Sequence, residues 1–165
     1  AAAAVAKGIE CILKTQIRVR GKLTAWCAQH DAVTLDPTKA RSYELASLSG
    51  AESAGILKFL MSLENPRPEA VHAVKSGVAW FESARIDGLR YNRSGSERNL
   101  IEDPSARPLW ARFYEIESNR PFFCDRDGVP KYDVEEIGSE RRSGYSWYGN
   151  WGDSLIRAYA KWPRR

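Results

Sequence analysis

The chain has 165 residues, 43% of them hydrophobic, which is the size and composition of one globular domain. No stretch approaches the roughly 20 apolar residues of a membrane-spanning helix, so a membrane partner is not expected. The formal net charge is +4, but acidic residues are interspersed among the basic ones, which argues against a basic arm that binds nucleic acid.

The first predicted elements are an amphipathic helix and a short hairpin. Residues 1–17 place apolar side chains at helical spacing. Because the chain opens in what resembles the middle of a helix, we expect it to begin inside a larger domain. Residues 17–19 and 22–24 flank Gly21 and predict a hairpin with its turn at that glycine.

The stretch from Trp26 to Ser53 is predicted to be a long, shaped connection. Its apolar residues follow neither the helical nor the alternating pattern. Loops of more than about a dozen residues are usually functional or disordered, and the apolar residues available for burial argue against disorder. The stretch contains Trp26, which we expect to be exposed, then Gln29-His30-Asp31 and a run from Lys39 to Glu44.

Two helices are predicted next. Ser49 and Glu52 have the spacing of a capping box, so we expect a helix from about Gly50 to Leu63. A second helix is expected from Glu69 to Ala84, after two prolines have ended the first.

The second half of the chain is predicted to mix short strands, polar connections and two further helices. The expected elements are strands at 86–91 and 109–116, a polar connection at 92–107, a punctuated loop at 119–128 with a turn at Asp127–Gly128, and helices at 134–141 and 154–162, the last capped by Asp153.

Arginine is the most informative residue type, with 17 arginines against 8 lysines. Its planar fork matches a carboxylate or a phosphate, although a bias in base composition would give the same excess. Four arginines lie beside aromatic or acidic residues in non-helical segments: Arg41, Arg112, Arg120 and Arg126. Each could clamp a carboxylate, and each could equally hold a loop together.

Further candidates lie around Arg41. Lys39 and Tyr43 are two residues away on either side, so in an extended segment all three would project to one side. His30 with Asp31 could act as a base or could be a hydrogen-bonded packing residue. The aromatic residues of 145–151 could stack on sugar rings, although core packing is expected for most of them.

Metal-binding and cysteine motifs are weak in this sequence. Asp125 and Asp127 could bind calcium through hard oxygens, but the spacing is not that of an EF-hand. Cys11, Cys27 and Cys124 are odd in number and have no CxxC spacing, so they indicate neither a zinc site nor a disulfide framework.

Four blocks of the sequence resemble the family 10 polysaccharide lyases, which are pectate lyases. In chain order they are GIECILKTQIRVRGKLTAWCAQHD, PTKARSYELASLSGAES, LWARFYEIESNRPFFCDRDG and ERRSGYSWYG. The resemblance covers essentially the whole chain. It implies a mainly α, helical toroid-like (α/α) architecture with short strands and long functional loops, of which residues 1–165 would be the C-terminal part.

The resemblance also implies a reaction. Members of the family cleave polygalacturonate by calcium-assisted β-elimination, which gives 4,5-unsaturated oligogalacturonides. Arg41 matches the family's catalytic base. Lys39 is the alternative on chemical grounds, because free arginine stays protonated and a base works best with a pKa near the working pH.

Substrate binding is implied at other positions. Arg112 and Arg126 match binders of substrate carboxylates, and we expect Tyr43, Trp26 and His30 to complete the binding site. The family's acidic calcium ligands would precede residue 1, so the metal ligands are not assigned within this chain. The resemblance implies a secreted or periplasmic enzyme, and we expect a monomer.

Two other functions remain open from the sequence. A non-catalytic module for acidic polysaccharides would use the same aromatics and arginines and would release no unsaturated product. A nucleic-acid-binding domain would bind with a steep salt dependence, and the interspersed acids count against it.

Overall fold

The computed structural model describes residues 2–94 and 98–164. Its helices over these residues are α1 (Ala2–Thr15), α2 (Gly50–Met61), α3 (Pro68–Ser83), α4 (Ser139–Gly144) and α5 (Trp151–Ala160), and a short 3-10 helix covers Val134–Glu136. The strands are β1 (Arg18–Val19), β2 (Lys22–Leu23), β3 (Leu48–Ser49), β4 (Leu89–Tyr91), β5 (Leu100–Glu102), β6 (Trp110–Ala111), β7 (Phe113–Tyr114), β8 (Phe123–Cys124), β9 (Pro130–Lys131) and β10 (Tyr148–Gly149).

The expected helical toroid is wrong. The described chain is 38% helical and 17% strand, and no ring of helices is evident in this part of it. The strands form antiparallel sheets of two strands each. Aromatic residues, which favour strands, are interrupted by Pro and Gly turn signals between residues 109 and 131, so this segment pairs as short strands before the chain returns to helix in α4 and α5.

Helices α2, α3 and α5 pack against one another. Leu57 and Leu60 on α2 are fully buried, as the predicted apolar face of that helix requires. A Cβ on Gly77 of α3 would lie 2.7 Å from Leu57 Cδ2, so the close approach of these two helices needs a glycine. None of the described helices is long and apolar enough to cross a membrane.

The N-terminal helix and hairpin are confirmed. Helix α1 ends at Thr15, and β1 pairs with β2 so that Arg18 lies opposite Leu23. The turn between them has φ of 49° at Arg20 and 80° at Gly21, the paired positive values of a tight hairpin turn.

The two predicted helix caps are wrong. Ser49 precedes α2, but its hydroxyl donates to the Glu52 carboxylate and makes no cap bond to the backbone. Glu52 in turn pairs with Arg112, so neither side chain serves the helix end. Helix α5 begins at Trp151, which places Asp153 inside its first turn, where it accepts from arginine side chains.

Two strand pairs bring distant segments together. β3 pairs with β7, which places Leu48 opposite Tyr114, and β6 pairs with β10, which places Ala111 opposite Tyr148. The strand prediction for 109–116 is therefore confirmed, although it is split in two. β5, β8 and β9 fall where the sequence predicted connections, because strands of two or three residues are too short to show an alternating pattern. The predicted helix at 134–141 is divided between the 3-10 helix and α4.

Candidate functional site

Two tyrosine rings form the centre of the candidate site. Tyr43 and Tyr145 meet edge to face with their ring centroids 5.3 Å apart. Tyr43 is buried and lies in a turn, in which the Glu44 N–H donates to the Arg41 carbonyl over 3.0 Å. The extended segment predicted for residues 39–43 is therefore wrong at Arg41–Tyr43, and the tyrosine points into the protein while the arginine stays at the surface.

Arg41 is held at this surface by its neighbours. Its Nη1 donates to the Tyr43 hydroxyl over 2.8 Å, and its Nε lies 3.7 Å from Glu44 Oε2. The Arg41 side chain is 65% exposed, whereas that of Glu44 is only 11% exposed. The bond to Tyr43 and the charge of Glu44 raise the pKa of Arg41, so in this arrangement the guanidinium is a cation.

Glu44 connects the two tyrosines. Its Oε1 accepts from the Tyr145 hydroxyl over 2.5 Å, and its Oε2 accepts from the Arg41 backbone N–H over 3.2 Å. Burial, and then the bond to Glu44, raise the pKa of Tyr145 well above its ordinary value, so this phenol stays protonated. Glu44 thus fixes Arg41 and Tyr145 in one arrangement.

Arg112 lies against the Tyr145 ring of the same pair. Its backbone N–H donates to the Trp147 carbonyl over 2.7 Å, which anchors it beside β10. The guanidinium lies 4.9 Å from the Tyr145 ring centroid and pairs with Glu52. Its buried Nε has no acceptor in the described part of the chain.

A second pair of arginines shares one carboxylate. Glu140 Oε1 accepts from Arg126 Nη2 and from Arg141 Nη2, both over 3.0 Å. Arg126 is 68% exposed, whereas Arg141 is buried and lies 4.5 Å from the Tyr43 ring centroid. The bonds from Arg126 and then from Arg141 lower the pKa of Glu140.

These residues form one group, which we call the tyrosine–arginine cluster. It consists of Tyr43, Tyr145, Arg41, Arg112, Arg126, Arg141, Glu44, Glu52 and Glu140. Four cations face three anions, and each carboxylate already holds an arginine. An added carboxylate can therefore replace a glutamate on an arginine, or bind the excess positive charge.

Three of the residues predicted for the site lie in structural positions. Trp26 is buried, not exposed as predicted, and its Nε1 donates to the Ile12 carbonyl over 2.7 Å. His30 uses both ring nitrogens, with Nδ1 2.9 Å from the Leu35 carbonyl and Nε2 accepting from the Cys27 N–H over 3.2 Å. Arg120 stacks on Tyr132 with 3.7 Å between its Cζ and the ring centroid.

Lys39 is exposed, close to the cluster in sequence and outside the contacts that build it. Of the aromatic stretch 145–151, Trp147 and Tyr148 are buried in the core, as expected for most of these residues. Sequence reasoning did not select Arg141, Glu52 or Glu140. Arg141 and Glu140 do fall in the matched block ERRSGYSWYG, which was the available signal.

The described residues contain no group of three or more His, Cys, Asp or Glu side chains that could hold a metal ion. The two sequence candidates have other partners. Asp125 Oδ2 accepts from the Gly138 N–H over 2.9 Å, and Asp127 Oδ1 accepts from the Val129 N–H over 3.0 Å. Asp127 therefore organises the Gly128 turn, and Asp125 connects its loop to the backbone at Gly138.

Comparison with known proteins identifies the family. The sequence model of the pectic acid lyases matches residues 1–156. The chain is similar to the family 10 polysaccharide lyase from Cellvibrio cellulosa, with 44% identity and a TM-score of 0.93 over 99% of this chain and 51% of that chain. A point mutant of that lyase in complex with trigalacturonic acid gives 45% identity and a TM-score of 0.92, over 98% of this chain and 51% of that chain. The chain thus spans about half the length of these structures. No curated protein matches it. With a family match over nearly all of its length, the chain belongs to the pectic acid lyase family.

Proposed function

We propose that this chain supplies part of the site of a pectate lyase, which cleaves (1,4)-α-D-galacturonan by β-elimination and releases 4,5-unsaturated oligogalacturonides. The tyrosine–arginine cluster carries the proposal, because it gathers four guanidinium groups, two of them mostly exposed, in one place in a chain of this family. The complex of the similar lyase with trigalacturonic acid supports a uronate ligand.

Arg112 and Arg126 bind substrate carboxylates. Polygalacturonate carries one carboxylate on every sugar, and a guanidinium fork recognises a carboxylate through paired, directional bonds. In the structure these arginines hold Glu52 and Glu140. Each substrate carboxylate would take the place of a glutamate, so that charge pairing is kept while the sugar is aligned. Tyr43 contributes by holding Arg41 in position.

The elimination needs one base and one leaving oxygen. The base removes the C5 proton, which is acidic because C5 is next to the carboxylate. The electron pair of the C5–H bond forms the C4–C5 double bond, and the bond from C4 to the bridging oxygen breaks. That oxygen leaves with its electron pair and then takes up a proton. An arginine on the carboxylate stabilises the negative charge that develops beside it.

Arg41 takes the C5 proton in this proposal. It must first be neutral, and in the structure Tyr43 and Glu44 favour the charged form. A substrate lying over Arg41 would remove water from an otherwise exposed guanidinium, and desolvation favours the neutral form. Lys39 is the second candidate, because it is exposed and an ammonium group gives up its proton more readily than a guanidinium.

The proposed requirement for calcium is supported only by membership of the family. The described residues offer no carboxylate cluster for it, and Asp125 and Asp127 are engaged by backbone N–H groups. No residue of this chain is therefore assigned to calcium, and no step above depends on a calcium ligand from it. The family also supports secretion, as expected for an enzyme whose substrate is a polymer, and we propose a monomer.

The test is an assay of the protein on polygalacturonate with added calcium. The proposal predicts a rise in ultraviolet absorbance from the 4,5 double bond, together with new reducing ends. New reducing ends without that absorbance would indicate hydrolysis and would contradict the lyase assignment. Undiminished activity in excess chelator would contradict the calcium requirement.

The alternative is a non-catalytic module that binds acidic polysaccharides. It is favoured by one observation, the charged state of Arg41 in the structure, since a cation binds a carboxylate but cannot accept a proton. Binding of polygalacturonate without any unsaturated product would support this alternative.

A further inference from the structure

A second group of arginines lies around Tyr91, at the end of β4. Arg93 stacks on the Tyr91 ring with 5.9 Å between its Cζ and the ring centroid, and its Nη2 donates to the Tyr148 carbonyl over 2.8 Å. The Tyr91 hydroxyl donates to the Arg142 carbonyl over 3.5 Å. Burial raises the pKa of Tyr91, and the charges of Arg98, Arg93 and Arg142 all oppose that shift. We call these four residues the Tyr91 patch.

The Tyr91 patch differs from the tyrosine–arginine cluster because its arginines hold no carboxylate among the described residues. None of Arg93, Arg98 and Arg142 forms an ion pair with a carboxylate in the described ranges 2–94 and 98–164. Asp133 is a carboxylate whose charge acts on Tyr148, the residue that packs against Tyr91. Its side chain accepts from the Glu135 N–H over 2.9 Å and so caps the 3-10 helix. Three positive charges therefore share this surface, and no carboxylate of the described residues pairs with them.

Two of these arginines also carry unused hydrogen-bond donors. The Nε atoms of Arg98 and Arg142 are buried and have no acceptor among the described residues. Arg93 is exposed, and Arg98 and Arg142 are half-buried, so the patch is open to an approaching ligand. A carboxylate that binds here would supply the missing negative charge.

Helix α4 joins the two arginine groups. Arg141 and Arg142 are consecutive, yet Arg141 lies against Tyr43, whereas the Arg142 carbonyl accepts from Tyr91. The rings of Tyr91 and Tyr148 are 5.0 Å apart, which places the patch beside β10 and the strand pair that anchors Arg112. A flexible polyanion held by Arg126 at one end could thus continue over α4 to Arg142.

We propose that the Tyr91 patch is a remote subsite, which binds carboxylates of the same polygalacturonate chain beyond the sugars held by the tyrosine–arginine cluster. This inference rests on the proposed function. The patch is specific for a polymer with a carboxylate on each unit, because only a ligand with regularly spaced negative charges can bind the cluster and the patch at the same time. A short oligomer fills the cluster alone.

The experiment compares a trimer and a hexamer of galacturonate by titration calorimetry. The wild-type protein should bind the hexamer more tightly than the trimer. In the double variant Arg98→Gln, Arg142→Gln, hexamer affinity should fall by about 10- to 100-fold, the scale of lost bonds to a charged group, while trimer affinity changes by less than about threefold. The matched control is Arg85→Gln, Arg157→Gln, which removes two exposed charges that pair with aspartates and should leave both affinities unchanged.

Several outcomes would overturn the subsite. Equal losses for trimer and hexamer would mean that the patch supports the cluster and is not a separate subsite. An unchanged hexamer affinity would mean that it binds no uronate, and tighter binding of a DNA oligonucleotide than of the hexamer would assign it to nucleic acid. If the double variant unfolds, Arg93→Gln replaces it, because Arg93 is exposed. This variant should lower the affinity for the hexamer several-fold and leave the affinity for the trimer unchanged. Wild-type protein that binds neither oligomer would contradict the proposed function itself, whereas wild-type protein that binds the trimer and the hexamer equally tightly would contradict only the subsite.

Discussion

The helical part of the molecule and the tyrosine–arginine cluster are stabilised by different interactions. In α2 and α3, Leu57, Leu60 and Val74 are fully buried and contribute through the removal of apolar surface from water. In the cluster, Arg41 and Arg126 are mostly exposed, and ion pairs at such positions contribute little to folding. The helices therefore determine whether the chain folds, whereas the cluster is free to be optimised for a ligand.

The largest effect on stability is expected for Leu57→Ala. Leu57 is fully buried and its Cδ atoms fill the space beside Gly77, so truncation leaves a cavity between two helices. The unfolding free energy should fall by about 2–5 kcal/mol, measured by denaturant titration. Phe59→Ala on the same helix is the control, because Phe59 is 41% exposed, and it should cost much less. Equal losses would contradict the view that burial in α2 stabilises the fold.

Arg112→Ala and Arg126→Ala should weaken ligand binding strongly and lower the unfolding free energy only a little, the reverse of Leu57→Ala. Each removes bonds to a substrate carboxylate, so the dissociation constant for trigalacturonate should rise by about 10- to 100-fold in calorimetry. The change in unfolding free energy should be smaller than for Leu57→Ala, because the ion pair of Arg126 is exposed and that of Arg112 is partly exposed. Arg85→Ala, which removes an exposed partner of Asp87, is the control. If both cluster variants bind normally, these arginines are structural.

High pH should affect the aromatic half of the core. Burial raises the pKa of Cys124 to about 11 and raises those of Tyr114 and Tyr148 well above the ordinary value. The unfolded chain therefore loses these protons at lower pH than the folded chain does. Stability is complete below about pH 8 and decreases above it, first through Cys124 and at about pH 10 through the tyrosines. Each group should contribute a slope of about 1.4 kcal/mol per pH unit once its unfolded form has titrated. Denaturant titrations between pH 8 and 11 would measure this slope, and stability that stayed constant would contradict the burial of these groups.

The difference between the helices and the cluster also explains which features could be predicted from the sequence. The long periodic segments gave α1, α2 and α3 within a few residues, because an apolar face repeated over several turns is specific to a helix. The cluster depends on contacts between residues about 100 positions apart, such as Tyr145 with Glu44, which no local pattern can indicate. The prediction that Trp26 is exposed was wrong for a related reason. Its indole N–H donates to the carbonyl of Ile12, 14 residues earlier, and no local pattern indicates that these two groups meet.

The predicted architecture was wrong in both of its parts, the toroid, which came from the resemblance, and the mainly α interpretation, which came from the residues. Read alone, the segments after residue 109 indicated short strands, and the structure confirms β6 and β7 there. For the site, the matched blocks selected Arg41, Arg112 and Arg126, and the structure brings these three around the same tyrosine pair. It also adds the glutamates that hold them.

The most direct test of the central claim is the turnover of Arg41 variants on polygalacturonate. If Arg41 takes the C5 proton, Arg41→Ala should lower kcat by about 10²–10⁴-fold while KM changes much less, because the interaction is made mainly in the transition state. Arg41→Lys keeps the charge but not the fork, so it should recover binding without recovering kcat. Lys39→Ala, which removes a neighbouring cation, should keep kcat near the wild-type value. An Arg41→Ala enzyme with near-normal kcat, together with a Lys39→Ala enzyme that loses turnover, would contradict the assignment and make Lys39 the base.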